Sequence, residues 1–300
     1  MDITHEQQEQ FPARVSSGSK RSRRMRLRPV RTFFIYAALV VSALLFLIPF
    51  YIIVRSALMT SPEITSFTWN WWAKSPQWVN LSTLFNDLEA PMGTGLMNSV
   101  IIAVTETVGQ LLFASMAGYA LARIPSRWSK PLFFLIIMTL MIPGAVTAVP
   151  RYLIVDQLGW ISTLQGIIVP DLFNAFTCLI FRQFCLNFPS ELEDAGRVDG
   201  LGYFGIYWRI VLPNAVPIMV ALGVISFIGS WNAFLWPLIV GQDQSSWTVQ
   251  VVLSTFLTAQ TINLPELFMG VAVAVLPLVI LFLFLQRYIA EGIARTGING

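Results

Sequence analysis

The sequence predicts an all-α, polytopic membrane protein with six transmembrane helices and both termini in the cytoplasm. Three observations carry this expectation. The 300 residues are 55% apolar and only 12% charged, about half the charged fraction of a soluble domain, and the mean hydropathy is +0.66. Six apolar runs come close to the roughly 20 residues a helix needs to cross hydrocarbon. Lysine and arginine are distributed very unevenly between alternate connecting segments.

Taken in order, residues 1–31 form a polar, basic tail with Gln-rich and Ser-rich pieces. Such a composition buries too little apolar surface to fold alone, and its arginines suit anionic lipid headgroups. Residues 32–300 form the membrane domain. Its spans are expected near Phe33–Val54, Met97–Ala122, Pro131–Ile154, Leu164–Phe184, Val216–Val240 and Leu267–Leu285. The first run is too long for a secretory signal, carries Pro49, and reaches Arg55 without a small-residue cleavage site, so it is read as an uncleaved helix. With the N-terminus inside, the inner segments hold 16 Lys and Arg and the outer segments hold 3. Short cytoplasmic loops collect these residues, which rejects the opposite orientation.

The outer segment from Ser56 to Gly95 contains Trp69, Trp71, Trp72 and Trp78. It reads as an interfacial segment or as a contact surface for an external partner. Pro143, Pro150 and Pro170 interrupt helical runs near the outer face, as kinks or as helix ends. Cys178 and Cys185 are seven residues apart in one apolar run. That is about 10 Å along a helix, too far for a disulfide, so both are expected to be buried thiols.

The fourth and fifth runs are separated by a polar loop, residues 189–213. Ser190 and Glu193 have the spacing of a capping box, which predicts a helix from Glu191. Pro189 blocks its backward extension. Gly200 stands where a left-handed residue would end the helix. A second helical segment, Leu201 to Val211, places Leu201, Phe204, Trp208 and Val211 on one face, and Pro213 closes the unit. The loop is therefore expected to be a helix–turn–helix against the bilayer. Ala195 and Gly196 are small enough to let another surface approach the first helix.

Within the loop, Asp194-Ala195-Gly196 is followed by three residues, then Gly200, then nine residues, then Ile210-Val211-Leu212-Pro213. This spacing resembles the EAA loop of binding-protein-dependent ABC importer permeases. Asp194 stands where that family usually has Glu, and Gly196 where it has a second Ala. The resemblance extends to Glu191 through Gly200, to Ser230-Trp231-Asn232-Ala233-Phe234-Leu235-Trp236-Pro237-Leu238, and to Gln286-Arg287-Tyr288 with the terminal Thr296-Gly297-Ile298-Asn299-Gly300. Asn98-Ser99 and Ala117 through Arg123 fit as well, so the likeness covers roughly residues 33–300. It is greatest to the smaller, six-helix permeases of maltose-type carbohydrate importers in the bacterial plasma membrane.

What the resemblance implies is specific. The loop docks in a cleft of an ATPase, with Glu193, Asp194, Ala195, Gly196, Asp199 and Gly200 as the coupling residues. The partners are a second permease subunit, two ATP-binding cassette subunits, an extracytoplasmic solute-binding protein and a carbohydrate. ATP and Mg would belong to those ATPases, and no cofactor is expected on this chain. The sequence agrees, because none of its three lysines completes the Gly-Lys-Ser/Thr of a phosphate-binding loop. The chain is expected not to be an enzyme.

Glu106 and Asp171 fall within the outer halves of spans two and four. A carboxylate in hydrocarbon costs at least ~2.5 kcal/mol, so each should face protein or a wet cavity. With Asn174, Trp231, Asn232 and Phe234 they form a candidate substrate path: carboxylates and amides bond sugar hydroxyls, and aromatic faces cover sugar rings. The alternative for each residue is structural, as interhelical hydrogen bonds, protonated carboxyls or aromatic packing. A single histidine, His5, argues against histidine-based metal or acid–base chemistry. The densest group of basic residues, 8 of the 19 Lys and Arg, sits in the N-terminal tail, which is no nucleic-acid signal. The other readings are a permease for a polyol, glycerophosphate or peptide, and an ion-coupled secondary transporter, which only Glu106 and Asp171 support.

Overall fold

A computed structural model of the chain describes residues 29–257 and 262–296, with side chains at 32–257 and 262–286. The expectations for the basic tail up to residue 28 and for the last four residues lie outside the described residues. Among the described residues the chain is mostly helical, and its one strand-like feature is an isolated bridge between Leu257 and Ile262.

The first helix, α1 (Pro29–Ala57), carries Pro49 within it. The chain divides into a unit that ends at Ile48 and a compact unit that begins at Pro49. In the second unit, short helices α2 (Ser61–Ile64) and α3 (Val79–Asn86) lead into α4 (Met92–Arg123). Glu63 caps the start of α2 through the Thr60 backbone N–H at 3.0 Å. α4 stops at Arg123 because Ile124 precedes Pro125, and its ψ of 117° is extended. Next come α5 (Ser129–Thr139), α6 (Gly144–Gln157), α7 (Leu164–Ile168), a 3₁₀ turn at Val169–Asp171, α8 (Ala175–Asn187) and α9 (Ser190–Val198). Beyond α9 lie α10 (Tyr203–Ile206), a π-helical turn at Tyr207–Val211, α11 (Leu212–Asn214), α12 (Val216–Trp231) and α13 (Leu235–Val240). The chain closes with α14 (Val249–Thr255) and α15 (Leu264–Thr296).

Among the described residues, four helical stretches are long and apolar enough to cross a membrane: Thr32–Ala57, Met92–Arg123, Leu164–Asn187 and Leu264–Gln286. Counting each sharply bent pair as one span raises the number to six. Three expected spans are not the continuous α-helices the sequence suggested; the fourth, Leu164–Phe184, is interrupted between α7 and α8, where Asn174 is extended. The third breaks at Pro143 into α5 and α6, which diverge by 101°. Proline has no N–H to continue the ladder and pushes the preceding residue out of helical geometry. Pro150, by contrast, lies inside α6, and Pro170 lies in the 3₁₀ turn. The fifth expected span, Val216–Val240, ends at Trp231, and α13 is separate. The Asn232 side chain bonds back to the Ile228 carbonyl at 3.0 Å, and Pro237 would clash with the carbonyl four residues earlier. A second bend, of 80°, separates Tyr203–Asn214 from α12.

The second unit is organised around α4. One buried cluster joins Met92 on α4 to Leu84, Trp231, Val252 and Met269. Another joins Tyr119 to Phe181, Cys185, Ile206, Tyr207 and Val211. A third joins Ile102 to Val155, Ile167 and Val240. Near the start of α4, Asn98 donates to the carbonyls of Ser245 and Trp247, both at 2.9 Å. Ser99 accepts from the backbone N–H of Val249 at 2.8 Å, satisfying the first turn of α14. Cys178 and Cys185 are buried free thiols, as expected.

Candidate functional site

Two places bring polar groups together. The first is a pocket of about 290 Å³ between α4, α8 and α12. Its polar lining comes from residues one helical turn apart on three elements: Glu106 and Gln110 on α4, Asn174 and Thr177 at the start of α8, and Ser226 and Ser230 on α12. Asp171, from the 3₁₀ turn, completes it. Glu106 is 5% exposed and accepts a hydrogen bond from Ser230 Oγ at 2.6 Å. Gln110 Nε2 donates to the Asp171 carbonyl at 2.9 Å, while its buried Oε1 has no partner among the described residues. Asn174 caps α8 by accepting from Thr177 N–H at 2.9 Å.

Beside this pocket, Arg151 of α6 donates to Asp171 Oδ2 at 2.7 Å. Its guanidinium lies 3.9 Å from the ring centre of Trp236 on α13. One cation thus links α6, the 3₁₀ turn and α13. The pair is part-exposed, so it fixes geometry more than it adds stability.

The pocket gathers Glu106, Asp171 and Asn174 from the expected path, but not Trp231, Asn232 or Phe234. Trp231 is 1% exposed. It stacks on Phe227 with ring centres 5.9 Å apart and donates Nε1–H to the Ala274 carbonyl at 3.2 Å. Asn232 ends α12, and its side-chain oxygen accepts from Gln250 at 3.4 Å. Phe234 is exposed and does not line the pocket, although its neighbour Ala233 does. Sequence reasoning missed Gln110, Thr177, Ser226 and Ser230. The available signal was helical spacing: Gln110 follows Glu106 by four residues and Ser230 follows Ser226 by four.

The second place is the loop 189–213. α9 ends in a Schellman arrangement: Leu201 N–H bonds the Gly196 carbonyl at 2.9 Å and Gly200 N–H the Arg197 carbonyl at 3.0 Å. Gly200 takes φ +81° in the left-handed region, as its place in the sequence implied. The expected capping box is not formed. α9 begins at Ser190 with Pro189 as its cap residue and no side-chain cap bond. Glu193 turns away from its own helix terminus because Arg123 competes for it, with Nε 2.9 Å from Glu193 Oε1.

The expected coupling residues divide into two groups. Asp194, Ala195, Asp199 and Gly200 are exposed, whereas Glu193 and Gly196 are buried. A Cβ on Gly196 would lie 2.5 Å from Ile210 Cδ1, so its smallness serves contact within the loop and not the approach of another surface. The expected face of Leu201, Phe204, Trp208 and Val211 is split, with Leu201 and Val211 packed inward and Phe204 and Trp208 exposed. Phe204 is 66% exposed, while Ile206, Tyr207 and Val211 are enclosed. The π turn adds a residue per turn and rotates the register, and Tyr207 reaches Ser115 of α4 at 2.7 Å. Burial pushes the Glu193 carboxyl above the usual carboxylate range, and the guanidiniums of Arg123 and Arg197 pull it back in part.

Membrane-length helices enclosing a polar pocket, joined by a folded polar loop, define a membrane transport component. Residues 110–295 match the family of binding-protein-dependent transport system inner membrane components, and the chain belongs to that family. It is 36% identical over 203 residues to the arabinooligosaccharides transport system permease protein AraQ of Halalkalibacterium halodurans, covering 68% of this chain and 73% of that one. It is 33% identical over 213 residues to the lactose transport system permease protein LacG of Rhizobium radiobacter, covering 71% and 77%. Its fold resembles a chain of a bacterial ABC transporter involved in the import of the acidic polysaccharide alginate, with a TM-score of 0.75 at 20% identity, covering 88% of this chain and 98% of that one. The chain is thus an inner-membrane transport subunit and not a catalytic one.

Proposed function

We propose that this chain is the permease subunit of a binding-protein-dependent ABC importer and carries a carbohydrate by alternating access. The observation that carries this reading is the polar pocket within the helices of a transport-family member. Residues 32–300 form the transmembrane domain, with six spans, counting each bent pair as one, and both termini in the cytoplasm. The lysine and arginine distribution supports that orientation. The chain pairs with a second permease subunit and two ATPase subunits, which bind ATP and Mg, and it receives its solute from an extracytoplasmic binding protein. Two relatives whose names specify oligosaccharide or disaccharide transport support the carbohydrate assignment.

In the pocket, Glu106, Asp171 and Asn174 accept or donate hydrogen bonds to sugar hydroxyls. A bond to a charged group is worth about 1.5–3 kcal/mol. Glu106→Gln and Asp171→Asn should therefore each weaken uptake affinity about tenfold or more. Arabino-oligosaccharide or lactose uptake in cells expressing the whole importer measures this. Unchanged affinity in both variants would sink the pocket's role.

In the loop, α9 is the helix that docks on an ATPase, presenting Asp194, Ala195, Asp199 and Gly200. A Cβ on Gly200 meets nothing within this chain, so inside the subunit a substitution acts through its positive φ, and on the docking face it adds bulk against the ATPase. Gly200→Val is expected to strain the end of α9 by ~1–2 kcal/mol. The protein should still insert and assemble, but with less solute moved per ATP hydrolysed. A native transport-to-hydrolysis ratio in that variant would count against the docking role.

A further inference from the structure

If α9 receives the motion of an ATPase, as proposed above, something must carry that motion to the pocket, and the inference here rests on that reading. Apolar contact ties α9 to its own loop, through Gly196 against Ile210 and Ile206. The rest of the loop packs on α4 and α8 through Tyr207 and Ile206, but the direct polar link from α9 itself to α4 is ionic. Arg123 is the last residue of α4. Its Nε lies 2.9 Å from Glu193 Oε1, and its Nη2 donates to the carbonyl of Phe188, the residue that caps α8. One planar guanidinium therefore grips α9 and the end of α8 together. The Glu193 side chain is 2% exposed. Among the described residues no other ion pair or hydrogen bond joins α9 to α4.

Arg197 also approaches Glu193, at 3.7 Å, and pairs with Asp194 at 2.7 Å. Both contacts stay within α9 and connect it to nothing else. At the other end of the path, α4 is one uninterrupted helix from Arg123 back to Glu106 in the pocket. Seventeen residues of helix span about 25 Å. A continuous helix clamped at one end and lining a site at the other is a physical route for coupling.

We propose that Arg123 is the positioning residue that locks the docking helix to α4, so that α9, the end of α8 and the Glu106 wall of the pocket move as one body. Glu193 is its inward-facing counterpart, distinct in task from the exposed Asp194 one residue on. A lysine at 123 keeps the charge but cannot reach Glu193 and Phe188 together, so Arg123→Lys should act between the native protein and a full loss.

The test uses the assembled importer in nanodiscs. Spin labels go on Val198 of α9 and Val104 of α4, both exposed, through Val198→Cys and Val104→Cys. The distance between them is compared without nucleotide and after trapping with Mg-ATP and vanadate, which requires no knowledge of the solute. In the native background the distance should not change between states. In Arg123→Met it should lengthen or broaden on trapping. Arg123→Met alone leaves Glu193 buried without its main partner and risks misfolding. The double variant Arg123→Met with Glu193→Gln removes both charges, so it should assemble normally and still show the nucleotide-dependent shift.

A merely structural salt bridge predicts the opposite, a double variant that behaves like the native protein, and that result overturns the proposal. The docking reading has its own check. Ala195→Cys should cross-link to an ATPase subunit. Failure of that cross-link overturns the docking role and with it this inference. A positive cross-link with unchanged distances in the double variant overturns the role of Arg123 alone.

Discussion

Replacing Gly118 by valine is expected to remove most of the folded protein from the membrane. A Cβ at this position would lie 2.8 Å from the backbone nitrogen of Arg182 and 3.0 Å from the carbonyl oxygen of Cys178. Both are backbone atoms of α8 and cannot rotate aside. α8 would have to move off α4 as a unit. Overpacking costs typically 1–3 kcal/mol and occasionally more, and here two further methyl groups follow the clashing Cβ. The displacement would reach the rest of the α4 side of the loop, because Ser115 holds Tyr207 and Arg123 holds Glu193 on the same helix. Gly118→Ala should show the same effect to a smaller degree.

Gly109 provides the contrast. Its added Cβ meets the tip of Leu172 at 2.5 Å, a flexible side-chain end, so Gly109→Ala should be much better tolerated. The measurement is the amount of each variant in membranes, with its thermal unfolding midpoint in detergent. Native amounts and midpoint for Gly118→Val would show that α4 and α8 do not meet as described.

Trp231→Ala is the second large effect. The side chain is essentially enclosed, and its loss opens a cavity between α12 and α15. Phe or Trp to Ala changes in cores cost about 3–5 kcal/mol. The change also strips the Ala274 carbonyl of its donor. Loss of stable protein is expected, with Trp231→Phe recovering part of it through the stack on Phe227. The outcome separates the two roles the sequence allowed this residue. A Trp231→Ala protein of native stability but altered uptake affinity would return Trp231 to the substrate path.

The pocket was partly legible beforehand because Glu106 and Asp171 are expensive in hydrocarbon and so announce themselves. Asn174 was legible by its distance from Asp171. Ser226, Ser230 and Thr177 were not, since small hydroxyl residues sit in membrane helices at little cost and can bond their own backbone. Trp231 stayed open between the two roles because an aromatic side chain carries no sign of whether a ligand or a neighbouring helix covers it. In the loop, the helix and the left-handed Gly200 were readable from local rules. Glu193 was misread by the same rules, because the capping pattern is local and the competing guanidinium is 70 residues away in the chain.

By itself, the sequence determined the membrane class, the approximate runs of apolar residues, the folded polar loop and its resemblance to one transport family. These follow from composition and from spacings of a few residues, where chain geometry leaves few choices. Only the tertiary structure decided which helices break, that Glu193 and Gly196 face inward while Asp194 and Ala195 face out, and that Arg123 joins α4 to the loop. The physical reason is the same in each case. A helix fixes which residues share a face, but the neighbour that fills that face comes from a distant part of the chain, and in the loop an added π turn rotates the face itself.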